Sequence, residues 1–290
     1  MRPGARLDTE NMVSPVIPKE ILPNNIAYFS MEVGLDSAMP TYSGGLGVLA
    51  GDTLRAAADL GLPMIGITLM HRKGYFRQSL DTRGNQTESP AGWNYEEVLE
   101  PMVPRAFVPI AGRAVMVRAW RYFVRGVFGH TVPVYFLDTD LKENTPWEQS
   151  LTEALYDGDA RHRLCQEVVL GMGGVAMLQA LGYKNVSTHH MNEGHAAFLT
   201  LALLEREAAR GDLAAVTETD CEAVRQRSVF TTHTPVPAGH DQFPVDLVRD
   251  VLGSERLTAL EKLQCMQGGT LNMTSLALHL SRYVNGVAMR

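Results

Sequence analysis

Three short segments bring glycine, histidine and amide side chains to places where a loop could meet a ligand. The first is Tyr42-Ser43-Gly44-Gly45-Leu46-Gly47. Its glycines let backbone approach a ligand without a Cβ in the way. Amides at a helix start there would attract an anion or a sugar oxygen. The spacing is not Gly-x-Gly-x-x-Gly, and the next strand ends at Met70-His71 with no acidic residue for a ribose, which disfavours a dinucleotide. A tight strand-to-helix turn without a ligand is the competing reading. The second segment, Thr188-His189-His190-Met191-Asn192-Glu193-Gly194-His195, offers donors and acceptors for hydroxyls at a strand mouth. The His-Glu-x-x-His spacing is missing and no cysteine is near, so a metal is disfavoured. A capped helix with buried histidines remains open.

The third segment, Val229 to His240, runs an apolar strand into His233 and then the Pro-stiffened stretch Thr234-Pro235-Val236-Pro237. Such a loop fixes an imidazole at a strand end, the usual way a rigid scaffold carries function; a structural histidine is the alternative. Leu155-Tyr156-Asp157-Gly158-Asp159 reads locally as an ordinary turn.

These segments need strands and helices to hold them. The pattern predicts strands over Ile26–Ser30, Met64–Leu69, Ala114–Trp120, Val132–Leu137, Asn185–His189 and Ser228–Thr232. Helices are predicted over Val48–Leu60, Arg161–Leu181, His195–Ala209 and Leu271–Arg282, the first three closed by Gly61, Gly182 and Gly211. Gly171, Gly173 and Gly174 inside the second helix cost about 1 kcal/mol each against alanine, which points to close approach of a neighbouring backbone. Strands interleaved with helices indicate an α/β fold with an open, doubly wound parallel sheet. Ligands of such sheets bind beyond the carboxyl ends of the strands.

Composition narrows the partners. The 290 residues are 45% hydrophobic and 20% charged, with a net charge of −6 and no basic run. That excludes nucleic acid and an anionic membrane surface as expected partners. Cys165, Cys221 and Cys265 are scattered thiols of a reducing compartment, neither a disulfide framework nor a zinc site. No signal-peptide pattern opens the chain, and the longest apolar run, Val168 to Leu181, is too short for a bilayer. A cytoplasmic protein is expected, with residues 1–24 a loose arm bearing Pro3, Pro15, Pro18 and Pro23.

Taken together, Ser30–Asp52 (SMEVGLDSAMPTYSGGLGVLAGD), Leu155–Gly174, Met191–Phe198 (MNEGHAAF) and Phe230–Phe243 (FTTHTPVPAGHDQF) resemble the short, bacterial/archaeal-type α-glucan phosphorylases, from about Ile26 onward. The resemblance implies the Rossmann-like N-terminal half of a GT-B glycosyltransferase over 25–290, facing a cofactor domain that the chain lacks. It implies transfer of a glucosyl unit between an α-1,4-glucan (glycogen, starch or maltodextrin) and inorganic phosphate, giving α-glucose 1-phosphate with retention. Pyridoxal phosphate serves the full-length enzyme through its phosphate group, and a homo-oligomer is compatible with the family.

By the same resemblance, Gly44, Gly45 and Leu46 belong to the loop facing the substrate phosphate. His233, followed by Thr234, steadies the transferring glucosyl unit, and Asp159 belongs to a gate loop. Asn192 and His195 match an Asn-Asp-x-His segment in which Glu193 replaces the Asp. The cofactor lysine is expected in the absent domain, because Lys19, Lys73, Lys142, Lys184 and Lys262 lie in no fitting context. The chain alone is therefore expected to be inactive. A glycosidase would need two carboxylates flanking the bond, and these motifs lead us to expect few. Two other readings stand beside this one: half of a glycogen-synthase-like nucleotide-sugar glucosyltransferase, and a non-catalytic, truncated glucan-binding domain.

Overall fold

The computed structural model describes residues 25–208, 213–233 and 240–287. The N-terminal arm and Thr234 lie outside the described residues. In chain order the elements begin β1 (Asn25–Ser30), α1 (Gly45–Asp59), β2 (Met64–Leu69), β3 (Arg77–Leu80), β4 (Gln86–Ser89), β5 (Glu100–Ile110), β6 (Arg113–Arg125) and β7 (Thr131–Asp138). There follow α2 (Pro146–Ser150), α3 (Ala160–Val168), α4 (Gly174–Ala180), β8 (Val186–Asn192), α5 (Phe198–Ala208), α6 (Glu218–Arg225) and β9 (Ser228–Thr232). The remaining described elements are β10 (Gln242–Pro244), α7 (Val245–Leu252), α8 (Ser254–Lys262), β11 (Met266–Gln267), β12 (Thr270–Asn272), α9 (Met273–His279) and β13 (Tyr283–Gly286).

The main sheet is Rossmann-like and eight-stranded, in the order β13-β9-β8-β1-β2-β7-β6-β5. From β13 to β7 neighbouring strands are parallel, while β6 runs antiparallel to β7 and β5. From β1 the chain winds outward through β2 and β7, then returns to lay β8 on the other side of β1. That reversal between β1 and β8 is the switch point of the sheet, where the loops after the two strands diverge and leave a crevice.

Parallel strands covered on both faces must be apolar throughout, and β2 is buried at all six residues. Side chains alternate between two cores. Phe29, Ile67 and Leu137 point to the layer of α3, α4 and α5, with Leu164, Val168 and Phe198. Tyr28, Val134 and Phe136 point to the layer of α1, with Leu54 and Ala57. Among the described residues no helix is long and apolar enough to cross a membrane, and all three cysteines are buried free thiols.

Several elements differ from expectation for identifiable reasons. The helix expected over 161–181 is α3 and α4 joined by a wide, π-type turn at Val169–Gly173. A Cβ on Gly171 would meet the Leu199 backbone nitrogen at 2.5 Å, and one on Gly174 the Phe29 ring at 2.6 Å. Gly173 makes only ordinary contacts, the nearest at 3.7 Å. Strand β5 escapes a pattern reading because Pro101, Pro104 and Pro109 interrupt it; an edge strand tolerates prolines because its outer N–H groups need no partner. The helix expected over 271–282 is shorter, α9, and is followed by β13 pairing parallel with β9.

Buried imidazoles give the fold an acid limit. His71 and His190 are lowered to about 4 and His189 to about 3, each mainly by burial. Between these values and the unfolded pKa near 6.5 the unfolded chain binds more protons than the folded one, so stability falls as pH falls. Three such groups act together against one opposing buried carboxyl, Glu167, whose raised pKa works in the other direction. Urea unfolding should therefore show the midpoint dropping steeply from pH 6.5 to pH 4.5, by about 1.4 kcal/mol per pH unit for each histidine at most. A midpoint constant over that interval would show that the histidines are not buried neutral.

Candidate functional site

Three loops at the carboxyl ends of β1, β8 and β9 meet at the switch point. After β1, Glu32 turns back under the glycine loop. Its Oε2 accepts the Ser43 and Gly44 amides at 2.5 and 3.2 Å, and its Oε1 accepts the Tyr156 hydroxyl at 3.0 Å. The loop thereby enters α1 at Gly45 with Gly44 as its extended N-cap residue, and no side chain caps it. The Ser43 and Gly44 amides are thus spent on Glu32. An incoming anion or hydroxyl is left the amides of the first helical turn, which have no intrahelical partner. A Cβ on Gly44 or Gly45 would meet nothing within 4 Å, and neither has a positive φ. The open space above these glycines is the room that a ligand, rather than packing, would fill.

At the end of β8, Asn192 is fully buried. Its amide nitrogen donates to Ser30 Oγ at 3.0 Å and to the Leu46 carbonyl at 3.3 Å. The Leu46 carbonyl can only accept, which orients the amide and leaves Oδ1 for His233 Nε2 at 2.6 Å. His233 therefore carries its proton on Nε2 when neutral, and Nδ1 is its acceptor. Burial lowers its pKa, with Glu193 and Glu32 pulling it up and His195 adding to the depression.

Glu193 has φ 70°, an uncommon conformation for a residue with a side chain that costs about 1–3 kcal/mol. It is held there from both sides. Its amide donates to the Thr231 carbonyl at 2.9 Å. Its carboxylate accepts Gly194 N at 3.1 Å and His233 N at 2.6 Å. Behind it, Asp241 bridges Arg163 at 2.6 Å and His195 Nε2 at 3.1 Å. Burial opposes the Asp241 charge, but His195, Arg163 and the Glu167 side chain together hold it below the usual carboxylate range. Glu167 is fully buried beside it, and burial followed by the Asp241 charge pushes its carboxyl well above the usual range. The two carboxyls of this pair are thus pushed in opposite directions.

Glu32, Gly45, Leu46, Tyr75, Tyr156, Arg163, Glu193, His195, His233 and Val287 line one cavity of about 690 Å³, within the range of small-ligand sites. A second cavity, of about 490 Å³, is lined by Leu35, Arg55, Glu100, Arg121 and Phe123 among others and by none of the candidate site residues.

No protein-family model matches the chain. Maltodextrin phosphorylase of Thermococcus litoralis is 38% identical to it, over 91% of this chain and 32% of that protein. Glycogen phosphorylase of Mycobacterium tuberculosis is 38% identical over 94% of this chain and 34% of its own length. Glycogen phosphorylase of Aquifex aeolicus is 33% identical over 91% and 39%. The chain is homologous to the α-glucan phosphorylases. It spans about a third of the length of these relatives.

Against that family pattern, Gly45, Leu46, His195 and His233 line the same cavity, and Asn192 lies directly behind it, tying Leu46 to His233. Gly44 stands at its edge with its amide turned to Glu32. Asp159 is not among the lining residues: it is the N-cap of α3, accepting His162 N at 2.9 Å. The expectation of few carboxylates is corrected, since Glu32 and Glu193 line the cavity and Asp241 lies against it. Sequence reasoning passed over Glu32, Tyr75, Tyr156, Arg163 and Asp241 as site residues. Glu32 was detectable in outline, as an acidic residue between the apolar Met31 and Val33 immediately after a buried strand.

Replacing Asn192 with alanine strands the Leu46 carbonyl and frees the His233 ring. We expect a loss of about 1–3 kcal/mol in urea unfolding and a broadened, shifted His233 ring signal in NMR. An unchanged His233 signal would show that the amide does not hold it.

Proposed function

We propose that residues 25–290 form the glucan-binding, N-terminal GT-B lobe of a cytoplasmic α-1,4-glucan phosphorylase. The whole enzyme converts glucan and inorganic phosphate to α-glucose 1-phosphate with retention. What carries this reading is the convergence of the β1, β8 and β9 loops on one cavity, in a chain similar over nearly its whole length to maltodextrin and glycogen phosphorylases.

The lining suits a neutral polyol. It offers hydroxyl, imidazole, guanidinium and carboxylate groups within one concavity, the mixture that sugar hydroxyls need as both donors and acceptors. His233 presents Nδ1 as an acceptor while Asn192 fixes its other nitrogen. His233 steadies the glucosyl unit as positive charge builds on it, and the first-turn amides at Gly45 and Leu46 face the anionic partner. His195 and Thr234 complete the sugar contacts, Asn192 acts from behind by fixing Leu46 and His233, and Asp159 anchors the loop beside them.

Hydrolysis is disfavoured by what the carboxylates already do. Glu32 accepts three donors from the protein, and Glu193 accepts two backbone amides. A nucleophile or general acid needs a free oxygen aimed at the scissile bond. Phosphate cannot be held by this lobe alone either. Among the described residues, the only arginine or lysine lining the cavity is Arg163, paired with Asp241 at 2.6 Å, and the carboxylates repel an anion. The cations for phosphate come from the second lobe.

Pyridoxal phosphate requires a lysine amine and basic partners. Among the described residues no lysine lines the cavity, and Lys73 is engaged with Glu153 at 2.9 Å. The residues present do not fit the cofactor, and it belongs to the second lobe. Calorimetric titration of the purified chain should give heat with maltoheptaose and none with phosphate, and no glucose 1-phosphate should form when both are present. Binding of ADP-glucose without binding of maltoheptaose would overturn the reading in favour of a nucleotide-sugar transferase.

A further inference from the structure

One side of the cavity wall serves neither core. Tyr75 lines the cavity yet is 38% exposed, and it belongs to neither apolar cluster. Its ring lies 4.2 Å from that of Phe76, and the Tyr156 ring meets it edge-on at 6.4 Å. Tyr156 in turn sits 5.6 Å from His195. Four rings thus step from the inner cavity wall outward to the start of the exposed β3–β4 hairpin.

The backbone beneath these rings is rigid. Lys73 N donates to Glu153 O at 2.8 Å and Leu155 N to Gly74 O at 2.9 Å, stapling the two aromatic segments side by side. Gly74 has φ +63°, and a Cβ there would lie 2.8 Å from the Pro40 carbonyl oxygen. The turn that presents Tyr75 therefore admits only glycine. Tyr156 is also held at a positive φ, 55°, with its hydroxyl on Glu32. Gly74 supplies the positive φ without strain, so the half-exposed Tyr75 ring stands on a fixed backbone at the cavity wall. A flat, amphipathic ring on a fixed backbone is suited to the apolar C–H face of a sugar, and loses little entropy on binding.

We propose that Tyr75 and Phe76 form a sugar-stacking subsite at the cavity mouth. It grips glucan units beyond those held at His233 and so sets the preference for longer chains. This rests on the glucan-binding reading above. The chemistry selects a pyranose with an exposed C–H face, repeated along a chain that leaves the cavity over the Tyr75 ring.

Calorimetry of the full chain with maltose and with maltoheptaose tests it, using Tyr75→Ala and Tyr75→Phe. The unsubstituted chain should bind maltoheptaose more tightly than maltose. Tyr75→Ala should weaken maltoheptaose about 3- to 10-fold and leave maltose unchanged, while Tyr75→Phe stays within about twofold on both. Equal weakening of both sugars by Tyr75→Ala, or no weakening of maltoheptaose, overturns the subsite and leaves the glucan-binding reading standing. Failure of the unsubstituted chain to bind either sugar overturns both.

Discussion

The site depends on one buried amide. Asn192 ends β8 with no solvent to satisfy it, and it reaches Ser30 on β1, the Leu46 carbonyl at the start of α1, and His233 after β9. Three loops separated by up to about two hundred residues of sequence are thereby fixed to one another through four atoms of side chain. A buried polar group left unpaired costs about 1–3 kcal/mol, so each loop is held by the penalty of letting go. Glu32 and Glu193 repeat the device on either side, each using a carboxylate to collect backbone amides that would otherwise be stranded. Such satisfied networks specify a single arrangement more than they add stability.

This arrangement also sets the electrostatics. Carboxylates that might have been reactive are occupied by the scaffold, and the arginine at the wall is matched by Asp241. Beside it, burial and the Asp241 charge push the Glu167 carboxyl well above the usual range, because a second buried anion there would be costly. The cavity is left polar without a strong net field for an anion. A neutral sugar fits such a surface, and a phosphate needs charge brought from elsewhere.

The regular parts of the fold were legible because short apolar, β-rich runs alternating with helical patterns predict buried strands. Ile26–Ser30, Met64–Leu69, Val132–Leu137 and Ser228–Thr232 all lie within strands of the main sheet. What was not legible follows from tertiary context. Prolines hide β5, which is tolerated because the strand lies at the sheet edge. The wide turn at Val169–Gly173 and the strand β13 depend on neighbours distant in sequence. Gly45, His195 and His233 carried a signal, a glycine loop and histidines at strand ends. Glu32 carried only an outline, an acidic residue between Met31 and Val33 after a buried strand, and Asp241 carried none, since an acidic residue in a loop is ordinary until its partners are known. Asp159 looked like a turn residue from local sequence and is found capping α3.

A crystal structure of the chain soaked with maltotriose would locate the sugar. A glucose ring is expected in the 690 Å³ cavity, between the Gly45–Leu46 turn and His233, with Asn192 still bonded to both loops. A ring seated instead in the cavity beside Arg55 and Arg121, with the first cavity empty, would contradict it.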